Sequence, residues 1–185
     1  MTNIPRLNAD NIYFIFIDLQ DKLLSHILDA DRIVARNELL IDAANLLGLP
    51  YMSTTQYRQG LGEIAEPLAR KMHTPIHDKT SFSCTADSTI SAQLNHVGRD
   101  VLVLSGVETH ICVMQTCLDL LGKGFQVAVI ADAIGSRNKL DHDLGLKRME
   151  SAGALPVTAE MVIYELLGRS NSPEFKKILP LIKGL

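Results

Sequence analysis

Tryptophan is absent, and the 185 residues hold only four tyrosines and five phenylalanines. A core so poor in aromatic rings has to be built from aliphatic side chains. Basic residues are not in excess: 18 lysines and arginines stand against 21 aspartates and glutamates, a net charge of −3. That removes the electrostatic footprint of a nucleic-acid binder. No apolar run approaches the roughly 20 residues that cross a bilayer. Met1–Asp10 lacks the basic-then-apolar order of a secretory leader. A cytoplasmic location without a membrane partner is therefore expected. Cysteine is scarce and odd in number: Cys84, Cys112 and Cys117 form no paired framework, which argues for reduced thiols. No Cys-x-x-Cys or paired-histidine spacing suggests structural zinc. No repeat, low-complexity stretch or linker interrupts residues 1–185, and the length suits a single domain.

What is present is an alternation of short apolar runs with helical periodicity. Ile12–Ile17, Tyr51–Thr55, Val101–Leu104, Phe125–Ala131 and Ala154–Val157 read as strands, and His73–His77 as a weaker one because Pro75 removes a ladder donor. Helices are predicted over Arg32–Leu47, near Ile64–Lys71, from a Thr85 or Asp87 cap to about Val97, over Ile111–Leu121, Asp141–Ala152 and Ala159–Leu167, and from Pro173 to a stop at Pro180. Asp132–Asn138 reads as a loop, and Ser105 and Gly106 as a strand break. This alternation predicts an α/β fold with a mostly parallel sheet covered on both faces. Such folds often bind nucleotides. The first strand-to-helix turn, however, reads Asp18-Leu-Gln-Asp-Lys22, with no glycine to admit a pyrophosphate.

The chain is organised around residues 99–117. A buried strand there runs into a helix, with Thr109 as its expected cap and Cys112 in its first turn. Unpaired N–H groups and the positive helix end favour a thiolate at that place. Asp18 and Lys79 likewise fall just after predicted strands. In a doubly wound sheet Asp18 and Cys112 face each other where strand order reverses, and an acid beside a thiol can take its proton. Each residue also has an ordinary explanation: a packed thiol, a turn-capping aspartate, a solvated lysine. His110 lies two residues from Cys112, a spacing that points the two side chains apart and disfavours a direct dyad. His77 is expected to be structural or substrate-facing, and His26, His73, His96 and His142 to lie on the surface.

Phe16-Ile-Asp18-Leu-Gln20, Lys79-Thr-Ser-Phe-Ser83 and Ser105-Gly-Val-Glu-Thr-His-Ile-Cys112-Val resemble the three signature blocks of the isochorismatase-like cysteine hydrolases. Gln56-Tyr-x-x-Gly60-Leu-Gly62, Ala131-Asp132-Ala and Thr158–Leu167 are similar to the isochorismatase-domain-containing subgroup. The resemblance spans nearly the whole chain. It implies a three-layer α/β/α sandwich with a six-stranded parallel sheet in the order 3-2-1-4-5-6. It also implies an Asp18–Lys79–Cys112 triad, a cis peptide between Val107 and Glu108, and an oxyanion hole of backbone N–H groups including that of Cys112. Gln20, Tyr57, Phe82 and Glu108, each beside a signature residue, are candidates for lining the substrate pocket.

Departures from the family pattern narrow the chemistry. Where nicotinamidases of this family place metal-binding Asp-x-His, this chain has Ser53-Thr-Thr-Gln-Tyr-Arg58, so no metal and no cofactor are expected. Siderophore isochorismatases lack the cysteine, so Cys112 favours C–N hydrolysis of a small amide-like substrate through a thioester. Vinyl-ether hydrolysis without a covalent step, and an oligomeric binding protein with vestigial activity, are the alternatives. Self-association is expected, since family members commonly form homo-oligomers.

Overall fold

The computed structural model describes residues 6–184. Its strands are β1 (Ile12–Ile17), β2 (Tyr51–Gln56), β3 (Ile76–Lys79), β4 (Val101–Val107), β5 (Gln126–Gly135) and β6 (Leu155–Val157). They pair in parallel in one sheet of order β3-β2-β1-β4-β5-β6. The helices are α1 (Asp21–Leu24), α2 (Ala30–Leu47), α3 (Arg58–Leu61), α4 (Glu66–Ala69), α5 (Ser88–Leu94), α6 (Met114–Gly122), α7 (Lys139–Ser151), α8 (Ala159–Leu167) and α9 (Pro173–Lys183).

Because β1 is flanked by strands and covered on both faces, all six of its residues are buried. Phe14, Phe16 and Val103 face Ile33 and Leu40 of α2, Leu68 of α4 and Val162 of α8. Ile15, Leu102 and Leu104 face the opposite way, onto Ile90 of α5, Leu120 of α6 and Met149 of α7. Each such side chain contributes about 1.5–3 kcal/mol on burial, so the two aliphatic layers hold the sheet without help from tryptophan. A smaller cluster of Leu39, Ala43, Ile163 and Ile178 seats α9 outside α2 and α8. The result is the three-layer α/β/α sandwich in the implied order.

Several boundaries differ from the sequence reading. Ser105 and Gly106 do not break β4, which runs on to Val107. Gly106 instead permits a close approach to β1: a Cβ there would lie 2.0 Å from the Ile17 carbonyl oxygen, and its φ is +112°. β5 continues to Gly135 through the stretch read as a loop, because its register against β4 shifts between Leu104 and Gly106. β3 starts at Ile76, beyond Pro75, rather than at His73. Asp87, accepting from the N–H groups of Thr89 and Ile90, caps α5. Pro180 lies inside α9 rather than ending it. Met1–Pro5, part of the stretch read for a leader, and Leu185 lie outside the described residues.

Candidate active site

In a parallel sheet every strand delivers its carboxyl end to the same edge, and the crevice opens where strand order reverses, here between β1 and β4. Asp18 follows β1 with φ +52°, a left-handed conformation that aspartate tolerates better than most residues. Its N–H donates to the Thr54 carbonyl at 3.1 Å, and Thr54 Oγ1 donates to Asp18 Oδ1 at 2.7 Å. Lys79 is the last residue of β3 and reaches past β2 to the same carboxylate, with Nζ 2.6 Å from Asp18 Oδ2. Its other donors go to Gln56 Oε1 at 2.8 Å and the Ser81 carbonyl at 3.2 Å. All three ammonium N–H groups are therefore engaged, and Lys79 acts on Cys112 as a fixed charge rather than as a hydrogen-bond donor. Burial by itself would lower the Lys79 pKa, but the charge of Asp18 leads the opposing effects, and the net shift is upward.

Cys112 occupies a π-helical turn, Thr109–Val113, between β4 and α6. Such turns are uncommon and concentrate at functional sites. The peptide bond between Val107 and Glu108, which leads into the turn, is cis. Thr109 does not cap this element as the sequence suggested, since its hydroxyl pairs with His142 Nδ1 at 3.0 Å. Cys112 Sγ lies 4.0 Å from Gln56 Oε1 and is 6% exposed. Burial and then the Asp18 charge push its pKa up, and Lys79 only partly offsets them. Burial therefore favours the thiol form over the thiolate. Desolvation thus works against the thiolate that the helix terminus is expected to favour.

Gln56 was not among the candidates, yet it links Lys79 to Cys112. Its own Nε2 donates to the Thr80 carbonyl at 2.8 Å, which fixes the amide so that Oε1 faces the ammonium. The strand-end argument that selects Asp18 and Lys79 reaches Gln56 once β2 extends one residue past Thr55. Gln20, a substrate-lining candidate, is instead fully buried and clamps this region. It accepts from Gln56 N–H at 2.8 Å and donates to the carbonyls of Gln56 and Gly62 at 3.2 and 2.6 Å. Its side chain has no free group for substrate, because those three bonds hold the loop after β2 in place.

The remaining candidates differ in exposure and in partners. Tyr57 is half exposed, and its ring occupies the space over Gly60, where a Cβ would lie 2.3 Å from Cε1. Phe82 is 54% exposed. Glu108 is buried, and its Oε2 accepts from Arg137 N at 3.0 Å and from Arg137 Nε at 3.1 Å. His110 Nδ1 lies 2.9 Å from Ser136 Oγ, directed to β5's end rather than to the thiol. His142, read as a surface residue, is half-buried against Thr109 because α7 packs closely there: a Cβ on Gly145 would lie 3.0 Å from His110 Cα. A cavity of about 280 Å³ beside these pairs is lined by Ser136, Lys139 and His142 but by none of Asp18, Lys79 and Cys112. Among the described residues, no three His, Cys, Asp or Glu side chains are grouped to hold a metal ion. Nor is any described helix long and apolar enough to cross a membrane.

Residues 13–161 match the family model of the isochorismatase domain. The chain belongs to the isochorismatase family. As an isochorismatase-family hydrolase it is 37% identical over 166 residues to isochorismatase domain-containing protein 2 of Bos taurus, covering 90% of this chain and 80% of that one. A structure described as the MAR1 ribonuclease of Caenorhabditis elegans superposes with a TM-score of 0.90 at 38% identity, covering 97% and 93% of the two chains. YcaC of Pseudomonas aeruginosa, solved with hexane-2,5-diol and covalent acrylamide, superposes with a TM-score of 0.91 at 26% identity, covering 98% and 93%.

Proposed function

We propose that the chain is a single-domain, metal-independent cysteine hydrolase of a small amide-like substrate, with Asp18, Lys79 and Cys112 as its triad. The observation that carries this reading is the buried chain of contacts Asp18–Lys79–Gln56–Cys112 at the carboxyl edge of the sheet. When substrate excludes water, Asp18 takes the thiol proton and the sulfur attacks the carbonyl carbon. Backbone N–H groups around the Val107–Glu108 bond, including that of Cys112, receive the oxyanion. As the tetrahedral intermediate collapses, Asp18 returns the proton to the departing amine, leaving a thioester. Water, deprotonated by the same carboxylate, then releases the acid and restores the thiol. Lys79 stays protonated throughout and holds the Asp18 carboxylate in place through its 2.6 Å contact.

Acrylamide is an electrophile that thiolates attack, so the covalent acrylamide described for the P. aeruginosa relative supports a nucleophile in this fold. The C. elegans relative is described as a ribonuclease. For this chain the acidic balance of 21 to 18 favours a small molecule over RNA. We place the enzyme in the cytoplasm and expect it to self-associate, which light scattering tests.

The deciding experiment screens amides, ureides, isochorismate and RNA with wild type and Cys112→Ala. A substrate lost with Cys112→Ala, together with an acyl adduct on Cys112 by mass spectrometry, is the expected result. Full turnover by Cys112→Ala would overturn the covalent step and leave vinyl-ether hydrolysis. Absence of any turnover, with a Cys112 inert to alkylation, would leave a binding protein.

A further inference from the structure

Three side chains in succession tie the turn that carries Cys112 to the segment after β5: Glu108 meets Arg137, Thr109 meets His142 and His110 meets Ser136. Thr109 is the one that joins two helices. Its carbonyl accepts from the Met114 N–H that opens α6, while its hydroxyl lies 3.0 Å from Nδ1 of His142 on α7. The turn is wider than an α-helix, for the Val113 N–H reaches back five residues to the Glu108 carbonyl at 3.2 Å. Continued backwards, the ladder of α6 would close that spacing to four, so the wide turn has to be held from outside. Thr109 is fully buried, and among the described residues its hydroxyl hydrogen-bonds to no group but His142. The helix that carries His142 is itself well seated. Met149 of α7 is fully buried against the sheet, and Gly145 lies so near the turn that a Cβ would come 3.0 Å from His110 Cα.

We propose that His142 is a positioning residue for acyl transfer: through Thr109 it keeps the turn wide, so that the backbone donors beside Cys112 face the carbonyl oxygen that its sulfur attacks. The inference rests on Cys112 being the nucleophile. Without its partner the Thr109 hydroxyl is buried and unpaired, and the turn answers by tightening or rotating. Displacing oxyanion donors by about an ångström is costly to rate.

p-Nitrophenyl acetate and iodoacetamide both consume the Cys112 thiolate. The first forms an S–C bond at the carbonyl carbon, gathers negative charge on its oxygen and expels p-nitrophenolate, leaving an acetyl thioester. The second forms an S–C bond at a methylene carbon and expels iodide, with no charge gathering on an oxygen. The thiolate population cancels from the ratio of the two rates, which therefore reads the alignment of the oxyanion donors. Acylation is followed as the p-nitrophenolate burst above a Cys112→Ala background, and alkylation of Cys112 by peptide mass spectrometry. Thr109→Val and His142→Leu should each lower the ratio about tenfold, and the double variant no further. Thr109→Ser, and His142→Asn, whose amide stands where Nδ1 stood, should keep the wild-type ratio. An unchanged ratio in either Thr109→Val or His142→Leu overturns the proposal. So does a double variant whose fall is the product of the two, which marks independent effects, or a His142→Asn as impaired as His142→Leu. A wild-type Cys112 that either reagent fails to modify sinks the nucleophile reading itself, a result distinct from any change in the ratio.

Discussion

Lys79 Nζ sits 2.6 Å from Asp18 Oδ2, with neither side chain exposed to solvent, although β2 lies between their strands. A buried charge left without its partner is costly, whereas removing both is far less so. Lys79→Met should therefore lower unfolding stability by about 3–5 kcal/mol in urea titrations. The double variant Asp18→Asn with Lys79→Met should recover most of that loss while remaining inactive. Equal stability of the single and double variants would deny the coupling.

On the proposed mechanism Asp18 has opposite effects on acidity and on turnover. Its charge is a principal cause, after burial, of the raised Cys112 pKa. Asp18→Asn should move the pH midpoint of Cys112 alkylation downward. The same change should cut hydrolysis by about 10²–10⁴-fold, because the proton acceptor is gone. Parallel losses of both would mean that Asp18 only supports the fold.

Gln56 tests the link between ammonium and thiol. Gln56→Leu leaves one Lys79 N–H buried without an acceptor, at a cost of about 1–3 kcal/mol. Turnover should fall more than substrate binding, seen as a lower kcat with little change in KM. A normal kcat would relegate Gln56 to packing.

Alkaline instability follows from Cys84, whose thiol is fully buried and pushed by desolvation from 9.0 to about 11. A group whose folded pKa is raised holds its proton in the native state while the unfolded chain ionises. Its contribution is complete below pH 9 and is lost as pH climbs towards 11, a fall on the order of 2–3 kcal/mol. Lys79, raised from 10.5, acts in the same direction at higher pH. Cys84→Ala should give a shallower decline between pH 9 and 11 in chemical denaturation. An identical slope would contradict it.

Gly145 holds α7 against the turn that carries Cys112. An added Cβ would come 3.0–3.2 Å from His110 Cα, Cβ and N, so Gly145→Ala must displace one of the two elements. Activity should fall several-fold for a shift in melting temperature of only a few degrees. Gly106→Ala, aimed at the Ile17 backbone, should instead fail to fold.

Local sequence was enough for β1, whose six apolar residues admit little besides a doubly covered strand, and for α8, whose Thr158 accepts from Met161 N–H as a cap should. It also marked Asp18, Lys79 and Cys112, since the carboxyl end of a strand can be read along the chain. Other assignments depended on neighbours distant in sequence. Whether Gly106 ends a strand or lets two strands meet is decided by Ile17. Whether Asp132–Gly135 is loop or strand is decided by its register against β4. Protonation of Cys112 depends on how much water its surroundings exclude, a sum over residues from every strand at that edge. Gln20 clamps the loop after β2, and Gln56, which was no candidate, links Lys79 to Cys112, because hydrogen-bond partners are chosen by proximity in space. Residue chemistry and periodicity along the chain determined the layers and named the candidate groups, while convergence across the sheet decided which of those groups touch.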